Sequence, residues 1–132
     1  MIYLDSCALV KLVSPAPQTA ALERYLRERA REHHVASALV GTELRRALHR
    51  AGATARQRAT ADKLLGAVIT ISVTDELLDA AGQLTGPGLR SLDAIHLATA
   101  LHLGSGLSGF VTYDRRLLAA AKQAGFVTAA PR

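Results

Sequence analysis

The chain has 132 residues, of which 49% are hydrophobic and 20% charged, so it is long enough for one domain with a real core and excludes a disordered chain. No run of about 20 apolar residues is present, which excludes a transmembrane helix. The acid at the fifth position excludes a signal peptide, and a single cysteine excludes an internal disulfide. These features predict a soluble cytoplasmic protein. The net charge of +5 at pH 7 is compatible with a polyanionic partner.

Short apolar runs alternate with helix-forming segments along the chain. The first half predicts, in order, a strand Ile2–Leu4, a helix Ser6–Val13, a helix from Gln18 to about Glu32, a strand in HHVAS, a helix ALVGTELRRALHRA capped by Ser37, and a helix Thr54–Leu65. The second half predicts the strand Val68–Val73, a helix DELLDAAGQL capped by Thr74, an almost wholly apolar helix LDAIHLATALHLG capped by Ser91, the strand GFVTY, the helix RRLLAAAKQAG and a short strand FVTAA.

This alternation predicts the fold class. Strands that alternate with helices indicate an α/β protein with a parallel sheet, here in one layered domain over residues 1–132. The run Val68–Val73 is apolar and β-branched, which is typical of a strand buried on both faces.

The positive charge is concentrated in one stretch. Ten of the 16 basic residues but five of the 11 acidic ones lie between Glu23 and Lys63, so this stretch carries the whole excess. Thirteen of the 16 are arginine, which binds phosphate in a bidentate manner. The pattern indicates an affinity for nucleic acid, although a pair of solvated helical faces explains the charge equally well.

Four acids differ from ordinary surface acids. Asp5 and Asp114 each follow a predicted strand, and ligands of open parallel sheets bind at that carboxyl edge. Asp93 lies in the first turn of the most apolar helix, and Glu43 borders the buried stripe of its own helix. Taken singly, each has an ordinary role as a turn residue, a partner of the helix dipole or one half of an ion pair.

Taken together, the four acids point to one pocket. Carboxylates that converge in a low-dielectric site need a cation to remain ionised. An oxygen-only ligand set, without paired histidines or a second cysteine, favours Mg²⁺ or Mn²⁺ over zinc. Such a cation activates water and neutralises a phosphodiester, so the pattern favours phosphate chemistry.

Four segments carry a resemblance to a known family, namely IYLDSCALVKL, ALVGTELRRAL, SLDAIHLATAL and FVTYDRRL. In this order and spacing they resemble a PIN domain, and most closely the VapC toxins of bacterial toxin–antitoxin modules. The resemblance implies a Rossmann-like α/β/α fold with a central parallel sheet, and an endoribonuclease that depends on Mg²⁺ or Mn²⁺ and hydrolyses cellular RNA. It also implies a homodimer and inhibition by a VapB-type antitoxin.

The acidic quartet of the family corresponds to Asp5, Glu43, Asp93 and Asp114. The resemblance implies that these acids are catalytic. We expect Asp5 and Asp93 to be the principal metal ligands, Asp114 to complete the site and Glu43 to orient a metal-bound water.

Neighbouring positions follow the family pattern in part. Ser6 and Thr112 match its small hydroxyl residues beside the first and last acid. Cys7 stands where many relatives have serine or asparagine, and we expect it to be a small buried residue. Arg116 stands where some PIN domains have a further acid, which leaves four acids rather than five.

Substrate and partner contacts are predicted from the basic stretch. Arg46 lies one helical turn from Glu43 on the same side, so Arg46 and Arg50 are expected to bind RNA phosphates. An apolar antitoxin segment is expected in a groove among the helices of residues 18–65, with an arginine that reaches the acids.

Two other classes of protein remain as alternatives. A PIN-fold binding protein would use the carboxylates only to hold the structure or a partner. A phosphoacceptor receiver domain also has acids at the sheet edge, but Ser6 replaces its second acid and GFVTYD contains no lysine. His96 is expected to be an ordinary core or surface histidine, although its spacing would let it orient Asp93.

Overall fold

Residues 1–132 are described by a computed structural model, in which strands and helices alternate from end to end. The strands are β1 (Ile2–Leu4), β2 (His34–Ser37), β3 (Ile69–Ile71), β4 (Gly109–Val111) and β5 (Thr128–Ala129). The helices are α1 (Ser6–Val13), α2 (Thr19–Glu28), α3 (Leu39–Arg50), α4 (Ala55–Ala67), α5 (Asp75–Gly82), α6 (Ser91–Leu103) and α7 (Arg115–Gln123). The predicted α/β class is therefore confirmed. None of the seven helices has the length and apolar character of a membrane span.

The five strands form one parallel sheet in the order β3-β2-β1-β4-β5. Central strand β1 pairs with β2 and β4, and Tyr3 lies opposite Val35 on one side and Phe110 on the other. Strands β2 and β3 are added in sequence on one side of β1, and β4 and β5 follow on the other side. The carboxyl ends of β1 and β4 therefore flank the switch point, where open α/β sheets bind their ligands.

Alternating side chains of β1 divide the core into two layers. Ile2 and Leu4 pack into a cluster that includes Leu9 of α1 and Leu44 of α3. Tyr3 points to the opposite face, into a second cluster with helices α6 and α7. This period of two places helices on both faces of the sheet, which is the α/β/α layering that the sequence predicts.

One strand differs from its prediction. The run Val68–Val73 was expected to be buried on both faces, but only Ile69–Ile71 is a strand and the side chain of Ile69 is 46% exposed. The prediction is wrong because β3 is an edge strand that pairs with β2 alone. A β-branched run reports that a segment is extended, but not its place in the sheet.

Helix ends were predicted with mixed success. Thr74 is the N-cap of α5, with its hydroxyl accepting the Leu77 N–H, as expected. Ser37 is instead the last residue of β2, although its hydroxyl accepts the Leu39 N–H. Ser91 is the first residue of α6 rather than its cap, and α2 ends at Glu28.

Candidate active site

Asp5 lies at the junction of β1 and α1, directly beyond the central strand of the sheet. Its Oδ1 accepts the Ala8 N–H at 3.0 Å, which caps α1, and its Oδ2 accepts the Thr112 hydroxyl at 2.5 Å. The residue is 2% exposed. Burial raises the pKa of Asp5 to about 6, although the bonds from Thr112 and Ala8 act in the opposite direction. A buried carboxylate of this kind gains from a nearby cation.

Asp114 lies beside Asp5 because β4 pairs with β1 in parallel. It is the N-cap of α7, and its Oδ1 accepts the N–H groups of Arg116 at 2.8 Å and Leu117 at 3.0 Å. Its own N–H donates to the Thr112 hydroxyl at 3.0 Å. Thr112 therefore joins the two acids, with one hydrogen bond to each.

Glu43 reaches the site from α3. Its Oε2 accepts the Ser6 hydroxyl at 3.0 Å, and its Oε1 lies 2.7 Å from Nε2 of His96. Burial acts to raise the pKa of Glu43, but the interactions with His96 and Ser6 outweigh it and hold this pKa below its usual value. An ion pair of Glu43 with Arg46 or Arg50 on its own helix, which is the ordinary role for an acid at this position, is not formed. Glu43 is therefore ionised at neutral pH.

Asp93 lies in the first turn of α6, where its Oδ2 accepts the Arg90 N–H at 3.3 Å. Together with Asp5, Glu43 and Asp114 it lines one cleft of about 450 Å³ at the carboxyl edge of the sheet. The structure thus brings together all four acids that the sequence singled out, from four separate elements of the fold.

Comparison with known proteins identifies the family. The PIN domain family model matches residues 2–123. Ribonuclease VapC46 of Mycobacterium tuberculosis is 45% identical over 130 residues, which cover 98% of this chain and 97% of the relative. Ribonuclease VapC47 of the same species is 39% identical over 133 residues, or 99% and 97% of the two chains. The chain belongs to the VapC family of PIN domains.

A solved structure agrees with this assignment. The crystal structure of Mycobacterium tuberculosis VapC20, described as a sarcin–ricin loop cleaving toxin, superposes with a TM-score of 0.76. The alignment covers 99% of this chain and 100% of that one at 20% identity, which shows that the fold is shared. The resemblance that the sequence carries, in family and in fold, is confirmed.

The donor set of this PIN domain fits a hard divalent cation. All four acids have carboxylate oxygens as ligand atoms. In Asp5, Asp93 and Asp114 one of these oxygens also accepts a hydrogen bond from a backbone N–H. No three histidine, cysteine or acidic side chains lie close enough together to enclose a metal ion. Mg²⁺ retains several waters and is usually bound through one or two carboxylates, so an open cleft of this kind suits it.

Cys7 differs from its prediction. Cys7 is exposed rather than buried, because it lies on the side of α1 that faces the cleft. Although the residue as a whole is exposed, its thiol is partly desolvated, and this desolvation, together with Asp5, Asp114 and Glu43, raises the pKa of Cys7 to about 12. The thiol is therefore protonated at neutral pH and is no nucleophile.

The sequence predicts His96 to be an ordinary core or surface histidine, with a spacing that would let it orient Asp93. It is buried, at 2% exposure, which agrees with a core position, and its ring is hydrogen-bonded to Glu43 rather than to Asp93. The spacing along α6 showed that His96 shares a face with Asp93, whereas the partner on α3 depends on how the two helices pack.

Two arginines in the cleft were not predicted as site residues. Arg90 and Arg116 line it together with the four acids. Arg116 stands at the position where some PIN domains have a further acid, and the sequence alone gives it no role. Their positive charge partly offsets the carboxylates and makes the cleft accessible to a polyanion.

A basic groove of about 660 Å³ continues from the acidic cleft and shares Ser6, Cys7, Glu43 and Leu92 with it. Its walls carry Lys11, Arg46, Arg50 and Tyr113. Arg46 thus lies where the sequence predicts it, on the side of α3 that bears Glu43, and Arg50 lines the same groove. Lys11 and Tyr113 were not predicted; Nζ of Lys11 lies 4.8 Å from the centre of the Tyr113 ring.

Proposed function

We propose that this chain is an endoribonuclease that depends on Mg²⁺ or Mn²⁺, hydrolyses phosphodiester bonds of cellular RNA (tRNA, rRNA or mRNA) and acts as the toxin of a toxin–antitoxin pair. The observation that carries the proposal is that four carboxylates from separate elements line one cleft at the switch point of the sheet. The ribonuclease names of two relatives at 45% and 39% identity support it. We take residues 1–132 as a single PIN domain.

Within this proposal the four acids have different roles in metal binding and in water orientation. Asp5 and Asp93 hold the cation, and Asp114 completes the site from the end of β4. A bound Mg²⁺ or Mn²⁺ supplies an activated water and neutralises charge on the phosphodiester. Glu43 orients the attacking water, because its carboxylate is ionised and is fixed by hydrogen bonds at both oxygens. Ser6 and Thr112 support Glu43 and Asp5 through their hydroxyls.

The basic groove supplies the binding surface for RNA. Arg46 and Arg50, joined by Lys11, bind backbone phosphates on one side of the scissile bond. Tyr113 offers an aromatic face on which a base can stack, and single-stranded RNA is bound in this way. Arg116 in the cleft offsets the acids where the scissile phosphate enters.

The proposed RNA cleavage implies a protein partner that inhibits it. A nuclease that cuts the RNA of its own cell must be restrained, and a VapB-type antitoxin fits this role. An apolar segment of the antitoxin lies among the helices of residues 18–65, and an arginine from it enters the cleft and pairs with the acids. A homodimer is part of the proposal; Leu78 and Leu101, which are 43% and 42% exposed, offer apolar surface for it.

One observation favours a second function, that of a PIN-fold binding protein without strong catalysis. Asp5, Asp93 and Asp114 each accept a backbone N–H at a helix start, so each has a structural role that needs no metal. Metal-dependent cleavage distinguishes the two functions.

The decisive experiment maps newly formed 5′ ends across the transcriptome after induction of the chain, with Asp5→Asn as the control. A ribonuclease gives defined cleavage sites that the variant lacks, and the purified protein reproduces them only with Mg²⁺ or Mn²⁺. Equal patterns for the chain and the variant would support the binding protein instead.

A separate experiment tests the antitoxin. Co-expression with the small protein encoded next to this chain should restore growth and yield a complex that survives purification. Failure of every neighbouring product to bind would indicate a nuclease without a dedicated inhibitor.

A further inference from the structure

A buried hydrogen-bond network lies behind Glu43. Nε2 of His96 is 2.7 Å from Oε1 of Glu43, and Nδ1 of the same ring is 2.8 Å from the hydroxyl of Tyr3. That hydroxyl in turn accepts the backbone N–H of Ser37 at 3.2 Å. Tyr3 and Ser37 are fully buried and His96 is 2% exposed, so water does not compete for these bonds. The network runs from the end of β2 through β1 and α6 to the acid on α3.

The direction of each hydrogen bond follows from the groups involved. The backbone N–H of Ser37 can only donate, so the phenolic oxygen of Tyr3 accepts it. The ionised carboxylate of Glu43 can only accept, so Nε2 of His96 donates to it, and the unprotonated Nδ1 of a neutral ring accepts the phenolic proton of Tyr3. Tyr3 is fully buried, and its phenol is an uncharged group with one proton to donate. With Nδ1 as the acceptor, the proton of a neutral imidazole sits on Nε2, which donates to the carboxylate of Glu43.

We propose that Tyr3 and His96 are positioning residues for Glu43. Tyr3 fixes the tautomer of His96, and His96 fixes Oε1 of Glu43, so that the carboxylate faces the cleft in one orientation. The opposite tautomer would set the lone pair of Nε2 against Oε1, and the donation by Tyr3 excludes it. The consequence for catalysis rests on the proposed function, in which Glu43 orients the attacking water.

The packing around Tyr3 shows that the network is built into the core. The ring of Tyr3 stacks on Phe110 with ring centres 4.8 Å apart and meets His96 edge-on with centres 6.0 Å apart. Replacement of the hydroxyl alone therefore leaves these ring contacts in place. Partners behind a catalytic or ligating side chain orient it in this way, and their loss costs roughly 10–100-fold in activity.

The first measurement is the ¹⁵N spectrum of the histidine side chains in the metal-free protein, which requires neither RNA nor activity. The assigned His96 ring should show a protonated Nε2 and an unprotonated Nδ1 near pH 7. In Tyr3→Phe the ring should lose this pure signature and exchange between tautomers or take up a second proton. A protonated Nδ1 in the parent protein, or an unchanged spectrum in Tyr3→Phe, would overturn the proposal.

The second measurement compares single-turnover RNA cleavage with the affinity for a non-cleavable RNA. Tyr3→Phe and His96→Leu should cleave roughly 10–100-fold more slowly and bind RNA as tightly as the parent. His96→Gln, whose amide can donate from near the position of Nε2, should recover much of the rate. Tyr25→Phe is the matched control, because the hydroxyl of Tyr25, a residue of α2, lies by Gly109 at the amino end of β4, away from the cleft.

The outcomes distinguish the positioning role of Tyr3 and His96 from the proposed ribonuclease function. If the parent protein cleaves RNA and Tyr3→Phe and His96→Leu do so at the parent rate, the positioning role is wrong and the proposed function stands. If the parent protein cleaves no RNA under any metal condition, the proposed function fails, and the ¹⁵N spectra alone decide whether Tyr3 fixes His96.

Discussion

The hydroxyl of Thr112 donates to Oδ2 of Asp5 at 2.5 Å and, through the same oxygen, accepts the backbone N–H of Asp114 at 3.0 Å. One threonine thereby connects the first acid of the chain with the last, across more than a hundred residues of sequence. The connection exists because β1 and β4 are parallel neighbours, with Leu4 opposite Val111. The separation of the two acids is therefore set by the sheet itself.

Thr112→Val removes this hydroxyl while preserving shape. The variant leaves a buried carboxylate and the Asp114 N–H each one hydrogen bond short, so we expect a loss of about 1–3 kcal/mol in the free energy of unfolding. Thr112→Ser keeps the hydroxyl and should lose much less. Urea unfolding of the three proteins at pH 7 without metal measures both effects, and equal losses for Val and Ser would show that the methyl group matters rather than the hydrogen bonds.

Asp5→Asn tests the metal and the chemistry together. The amide oxygen can still accept the Ala8 N–H, but the charge that a cation requires is gone. We expect RNA cleavage to be lost while the metal-free protein is as stable as the parent or more so, since a buried charge is removed. Cleavage assays with Mg²⁺ and thermal unfolding without it give the two readouts. Cleavage by Asp5→Asn at the parent rate would contradict the assignment.

The raised pKa of Asp5 predicts how stability depends on pH. Its folded value of about 6 lies above the unfolded value of about 3.9, so protonation favours the folded state. The stabilisation is complete below about pH 4 and is lost as the pH rises through about 6. From pH 7 to pH 5.5 the metal-free protein should gain about 1 kcal/mol through Asp5.

The matched control for this pH effect is Asp5→Asn. The difference between the two unfolding profiles isolates Asp5 from other groups that titrate in the same range. Saturating Mg²⁺ should reduce the difference, because a bound cation stabilises the ionised carboxylate. Parallel profiles without metal would show that Asp5 is ionised throughout the range.

The fold and the meeting of the acids were predictable because both follow from local pattern. Apolar runs separated by helical segments predict parallel strands, and parallel strands bring Asp5 and Asp114 to one edge. Glu43 stood out because it borders the buried stripe of α3, and Asp93 because it opens an apolar helix. Each signal depends only on a few neighbouring residues.

What could not be predicted depends on packing between distant elements. The bond from His96 to Glu43 requires α6 and α3 to meet across the end of the sheet, and no spacing within either helix reports this. The edge position of β3 depends on the strand order, which a β-branched run does not contain. Cys7 is exposed for a similar reason, since the cleft it faces exists only once the acids have been brought together.

The basic groove leads to a prediction about salt. Arg46 and Arg50 line the groove next to Glu43, so each should neutralise one phosphate of a bound single strand. Arg46→Ala and Arg50→Ala should weaken the binding of all RNA sequences to a similar degree and reduce the slope of log K against log salt by ~0.7 each. The rate at saturating RNA should be retained, unlike that of Asp5→Asn. Titration of a non-cleavable RNA at several salt concentrations measures the slopes, with Arg24→Ala, at an exposed position of α2, as the control. If all four proteins give the same slope, the arginines of this groove are a solvated or antitoxin-facing surface and the RNA follows another path.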